Sequence, residues 1–243
     1  MDDKDATDMA GLAPTPSEPG PKPSPKPNPD ADPDATRARI KAAGMKLFSE
    51  RGIDAASVRA IVREAGARNG ASLHYYFGSK EGLIRELAAD AARRSDRARN
   101  GLLDAMEAGG GPRRAADIVG LMVAVETAPA QGGALDGLPV GFGHMRFVDA
   151  MQGAHRALFL DAVGGRWTTS FDRCMAHLRG MLGHLPDDEA RRRLAFFVVF
   201  FSAGLAAREA AFVADPSGGG LWGRPGARES FVASLCGGLE APG

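Results

Sequence analysis

From residue 34 onward, apolar side chains recur at three- and four-residue spacing. Ile40, Ala43, Leu47 and Phe48 share one helical face, and Gly52 is placed to end that helix. Val58, Ile61, Val62 and Ala65 mark a second, short helix that Ser57 can cap and Gly66 can close. A third short helix is predicted over 70–77. Gly78 breaks it, Ser79 caps a fourth running to about residue 100, and Glu81 sits in that first turn, where the helix dipole favours an acid. Further on, apolar runs are separated by glycine and proline clusters at 109–112, 129–143, 164–165, Pro186 and 216–226. Strand-like alternation and internal repeats are absent from the sequence, so the expected fold is all-α with about nine helices.

Residues 1–33 break the pattern. They are rich in proline and acid and poor in apolar groups, so burial cannot offset the entropy of ordering them, and a disordered tail is expected. Their composition fits a spacer better than a docking motif. Met1 to Ala10 is acidic and lacks the apolar stretch of a secretory leader. The longest apolar run, 194–207, falls short of the roughly 18–20 residues that span a bilayer, and it is expected to be a buried helix with no membrane partner. Two cysteines, Cys174 and Cys236, are too few and too far apart for a disulfide framework, which suits a reducing cytoplasm.

The chain carries 30 basic and 30 acidic residues, so net charge alone argues for no partner. Its distribution does. The tail is acidic, whereas residues 34–99 hold fourteen basic side chains against eight acidic ones. That excess surrounds the stretch GARNGASLHYYFGSKEGLIREL, 66–87, where polar aromatics alternate with small and basic residues. Two short helices joined by a glycine-containing turn form a helix-turn-helix, whose second helix enters the DNA major groove by its N-terminal end. Small residues there (Gly70, Ala71, Ser72) permit close approach. Arg68 and Asn69 suit guanine or adenine edges and phosphate, while Leu73 and Phe77, four apart, anchor the helix. His74 and Tyr75 then face outward. The tyrosine hydroxyls, Lys80 and the N-terminus of the fourth helix suit phosphate oxygens.

These residues carry a resemblance. Phe48-Ser49-Glu50-Arg51-Gly52, then Ser57-Val58-Arg59-Ala60-Ile61-Val62-Arg63-Glu64-Ala65-Gly66, then Leu73-His74-Tyr75-Tyr76-Phe77-Gly78-Ser79-Lys80-Glu81-Gly82-Leu83 follow the pattern of the DNA-binding domain of TetR-family bacterial transcriptional regulators. The match spans about a fifth of the chain. The turn is one residue longer than the usual pattern, and His74 stands where Tyr is commoner. The resemblance implies that Ser57 and Arg59 lie near phosphate, that Arg68, Asn69, Ser72 and His74 read bases, and that Tyr75, Tyr76 and Lys80 grip the backbone, one tyrosine being free to pack inward instead. Arg37 and Arg39 become candidates for flanking phosphates. It further implies a helix-turn-helix domain over 34–82 and, over 83–243, a helical domain that binds a small-molecule effector and dimerises through its last two helices. The partners would be a palindromic DNA operator, a second copy of the chain and an unidentified effector.

The remaining sequence is compatible. Leu194, Phe197, Val198, Phe201, Leu205 and Phe212 form one stripe of a long helix, with Phe196, Val199 and Phe200 on its other side. Phe231, Leu235 and Leu239 stripe the last helix. Phe197, Phe201, Leu205, Phe231 and Leu235 are therefore the expected dimer interface. Helices over about 146–163 and 166–185 offer pocket candidates: His155 within an apolar stripe, Phe159, Trp167 and Phe171, with Phe200 from the long helix. Cys174, His177 and His184 share one helix in a poor arrangement for a tetrahedral metal site. No nucleophile–base pair, metal-ligand spacing or phosphate loop stands out, so neither an enzyme nor a cofactor is expected. The expected function is a dimeric repressor released by its effector, the alternative being a helical ligand-binding or scaffolding protein whose helix-turn-helix reads no specific DNA.

Overall fold

The computed structural model describes residues 32–67, 71–128, 143–218 and 220–242. The expected tail up to residue 31, the turn residues Arg68 and Asn69 with Gly70, and most of the glycine-rich segment after Pro129 lie outside them. Ten α-helices and no strand occur among the described residues.

Asp32 caps α1 (Pro33–Arg51), its carboxylate accepting from the Asp34 and Ala35 amides at 3.0 and 3.2 Å. Ser57 caps α2 (Val58–Glu64). The end of α2 is a Schellman turn: Ala67 N–H donates to Val62 O and Gly66 N–H to Arg63 O, each at 3.1 Å. That turn holds Gly66 at φ +65°, which glycine adopts without strain. It delivers the chain to α3 (Ala71–Phe77). Ser79 caps α4 (Lys80–Ala108), which continues through Gly101, past the expected end near residue 100, because Leu103 beyond it is fully buried on the core.

Beyond it come α5 (Ala115–Thr127), α6 (His144–Gly153), α7 (Arg156–Val163), α8 (Thr169–Met181), α9 (Asp187–Ala214), a 3₁₀ turn (Gly220–Gly223) and α10 (Ala227–Glu240). One contiguous apolar core runs through all of them but the 3₁₀ turn. Gly44 brings α1 close to α4, since a Cβ there would sit 2.9 Å from a Leu83 methyl. Phe48 of α1 stacks on Phe147 of α6 with ring centroids 6.0 Å apart, joining the first helices to the later ones.

Three expectations are corrected. The single helix over 146–163 is two helices, because the chain leaves the helix after Gly153, a poor helix former. His155 therefore lies at a junction and not inside an apolar stripe. The long helix is not buried all round: α9 packs by one face, while Phe196, Val199 and Phe200 are 58, 59 and 58% exposed. By length and composition alone α9 would also suffice to cross a membrane. Last, Phe197, Phe201, Leu205 and Leu235, expected to meet a partner subunit, are spent on the chain's own core, and Phe231 is partly buried against it. A side chain buried within one subunit leaves no surface for another.

Candidate nucleic-acid interface

The local fold of α3 sorts its residues. Leu73 is fully buried and Phe77 nearly so, anchoring the helix. His74 and Tyr75 point away from them, and Tyr75 is 81% exposed. Tyr76 packs inward against the core and holds the Tyr75 ring edge-on, centroids 4.9 Å apart. Of the two tyrosines, only Tyr75 presents its full face to solvent. His74 Nδ1 lies 2.9 Å from the Gly78 carbonyl. A carbonyl can only accept, so Nδ1 is the donor in this contact. Ser72 is partly buried, and Ala71 exposed, at the described start of the helix. Arg68 and Asn69, the strongest base-reading candidates in the sequence, lie outside the described residues.

On α2, the Ser57 hydroxyl oxygen accepts from the Ala60 amide at 3.2 Å, which leaves its O–H free to donate outward. Arg59 is exposed, and so is Arg63, one turn on; neither forms an ion pair among the described residues. Arg63 was not among the sequence candidates. Its i, i+4 relation to Arg59 on a face without apolar residues was the available signal.

Other candidates are engaged within the chain. Arg37 pairs with Glu86 of α4, and its guanidinium lies 5.4 Å from the Phe77 ring centroid. With buried Lys41, which pairs with Glu86 and Asp90, it ties α1 to α4. Lys80 donates to the Asp54 carbonyl at 3.3 Å and lies 5.8 Å from the Phe48 ring centroid. Arg39 donates to Thr36 Oγ1 at 3.0 Å. Gly82, in the first turn of α4, admits no side chain, since a Cβ would fall 1.9 Å from the Phe77 carbonyl oxygen. The α3–α4 corner is thus fixed by close backbone contact.

The expected pocket residues do not converge. His155 faces the helix-turn-helix region, its Nε2 3.5 Å from an Asp54 carboxylate oxygen. Phe159 is half-buried on the core. Trp167 and Phe171 lie beneath the guanidinium groups of Arg93 and Arg99, at 5.8 and 5.9 Å. Phe200 is on the outer face of α9, stacked on Phe196 at 6.3 Å.

Glu126 and Glu209 are among the buried carboxylates that organise the C-terminal helices. The Glu126 side chain, 4% exposed, meets Arg94 at 3.4 Å and His144 at 3.3 Å. Burial alone would raise its pKa, but the His144 hydrogen bond and the charges of His144, Arg99 and Arg94 outweigh that and hold it at about 2. Glu209 of α9 accepts from the backbone amides of Gly143, Met145 and Arg146, each at 3.0 Å. It supplies the N-terminus of α6 with the cap that its own sequence lacks. Gly143 in turn abuts α1, where a Cβ would fall 2.6 Å from Ser49 Oγ.

With this geometry in place, comparison with known proteins gives a family match for part of the chain. Residues 40–87, from α1 through the first turns of α4, match the family described as "Bacterial regulatory proteins, tetR family". No curated protein matches the chain. Among solved structures, a Rhodococcus sp. RHA1 protein assigned as a transcriptional regulator is 21% identical, over 85% of this chain and 96% of its own, with a TM-score of 0.45. A Rhodococcus sp. protein assigned as a TetR-family transcriptional regulator is 14% identical, over 83% of this chain and 96% of its own, also with a TM-score of 0.45. At those values neither likeness bears on what this chain binds.

Proposed function

We propose that this chain, which belongs to the tetR family of bacterial regulatory proteins through residues 40–87, is a homodimeric repressor that reads a palindromic operator and releases it when a small molecule binds the C-terminal helices. The observation that carries the DNA reading is the division of α3, with Leu73 and Phe77 buried and His74 and Tyr75 exposed, together with the exposed Arg59 and Arg63 of α2, which form no ion pair among the described residues. In a major groove, the start of α3 would place Arg68, Asn69, Ser72 and His74 at base edges. Ser57, Arg59, Arg63 and the Tyr75 hydroxyl would meet phosphates and set the register. Lys80 and Arg37 would reach DNA only by giving up the contacts they make within the chain.

Dimerisation supplies the two-fold symmetry. Along α9 the exposed positions Phe196, Val199, Phe200, Ala203, Ala207 and Ala210 form an unbroken apolar stripe. Beside it α10 exposes only small residues over Ala233, Ser234, Gly237 and Gly238. Large knobs and small hollows on neighbouring helices suit an isologous interface with a second copy. Repression then needs only occupancy of the operator, and release needs an effector that prefers the non-binding conformation. The site of action is the cytoplasm, where the chromosome lies.

The test is selection of binding sites from random duplex DNA, followed by titration against salt. A palindromic motif whose affinity falls steeply with salt is expected. Weak binding with no enriched motif would favour a helical ligand-binding or scaffolding protein instead.

A further inference from the structure

We infer that the cavity between the C-terminal end of α5, α9, the 3₁₀ turn and the start of α10 binds an aromatic organic anion, gripped by Arg208. The cavity has a volume of about 240 Å³. A void of roughly 150 Å³ holds benzene, so this one has room for a one- or two-ring body. Val123 and Leu205, each 1% exposed, reach it from the core. Trp222 and Phe231 form an aromatic wall, edge to face at 5.2 Å.

The charge lining it is unbalanced. Arg208, Arg224 and Arg228 face one acid, Glu229, which is itself exposed and 3.4 Å from Arg228. Arg208 is the telling residue. It is partly buried, and its guanidinium lies 4.9 Å from the Phe212 ring centroid with no ion pair among the described residues. Burial lowers its pKa, and Glu209 only partly opposes this. A guanidinium half withdrawn from water without a carboxylate is poorly solvated, and its planar fork matches a carboxylate or a phosphate. At 100° per residue, Leu205 and Arg208 are turned away from the apolar stripe of α9. A second copy on that stripe would leave the cavity open.

This site deepens the effector reading and rests on it in one respect only. Arg208 precedes Glu209, the carboxylate that holds the N-terminus of α6 against α1. An anion on Arg208 would set a second negative charge one residue from that carboxylate and so act on that hold. Binding itself requires nothing of DNA.

The experiment is calorimetric titration of the full chain with 2-naphthoate, 2-naphthyl phosphate and the neutral 2-naphthalenemethanol. At least one anion is expected to bind about tenfold or more tightly than the alcohol, because the charged fork is then used. The tighter of the two anions identifies the head group. Arg208→Met is expected to lose about tenfold, and Arg224→Met/Arg228→Met about threefold. Arg191→Met, an exposed arginine near the other end of α9, should change nothing. Equal binding of alcohol and anions, no binding of either anion, or undiminished binding in both arginine variants would overturn the proposal. If Arg208→Met does not fold, the double variant decides, since both of its positions are exposed. Anion binding that leaves DNA affinity unchanged would sink the effector reading and spare the site.

Discussion

At the scale of the residue, exposure separates recognition from support. Tyr75 spends none of its ring on the core, so its prominence has no packing explanation. Tyr75→Phe should leave the fold intact and weaken DNA binding by about 1 kcal/mol, the usual worth of one hydrogen bond; an unchanged affinity by fluorescence anisotropy would remove the hydroxyl from the contact set. Arg63→Ala should weaken binding to all sequences alike and reduce the salt slope by about one. A loss confined to one operator sequence would instead make Arg63 a base reader. Glu126 governs a different property. Its pKa is about 2 in the folded chain against 4.5 ordinarily, because His144, Arg99 and Arg94 hold its charge despite burial. The stability this confers is fully present above pH 4.5 and is lost as pH falls towards 2. Urea melts should therefore show a steeper acid loss in the wild type than in Glu126→Gln across that window. At neutral pH the same substitution should cost on the order of 3 kcal/mol, since Arg94 and His144 lose their buried partner.

At the scale of the element, helix ends decide what a sequence reveals. α2, α3 and the start of α4 were legible because their signals are local: Ser57 and Ser79 cap, Gly66 and Gly78 stop, and apolar residues repeat between them. Arg68 and Asn69, the proposed base readers, stood out in the sequence by their chemistry alone and lie outside the described residues. α6 was not legible. Its cap comes from Glu209, more than sixty residues away, and no local pattern announces a contact of that range. Nor did the sequence separate the two faces of α9, since both carry phenylalanines, and only packing against α6 and α10 makes Phe197 and Phe201 core and leaves Phe196 and Phe200 outside. The Glu209 cap yields its own prediction. Glu209→Gln keeps one acceptor oxygen but loses the charge facing three amides, and it should cost about 1–3 kcal/mol in a urea melt. Because α6 abuts α1 at Ser49, it should also shift DNA affinity while leaving Tyr75 and Arg63 untouched. A stability loss with unaltered DNA affinity would confine the role of Glu209 to folding.

At the scale of the whole molecule, the proposed dimer ties the exposed stripe of α9 to the proposed reading head. In that proposal a single α3 would cover one half-site, and non-covalent pairing of two copies through α9 would set two such helices on one face of the duplex, about 34–36 Å apart. The two half-sites then bind as one event, at an effective concentration far above that of free protein. Assembly and recognition are separable, because the stripe has no part in the core. Phe196→Glu with Phe200→Glu places two charges where only exposed apolar surface stood, so the helix content and the melting of the subunit should be nearly unchanged. Like charges facing one another across a two-fold axis should abolish pairing, read as half the mass in sedimentation equilibrium. Affinity for a full palindrome should fall by about two orders of magnitude or more, while affinity for an isolated half-site stays as it was. If the double variant remains dimeric, α9 is not the interface, and its apolar face must be covered by something else, a membrane surface included. If it is monomeric but binds the full palindrome as tightly as before, the reading head works alone, and the two-fold operator goes with it.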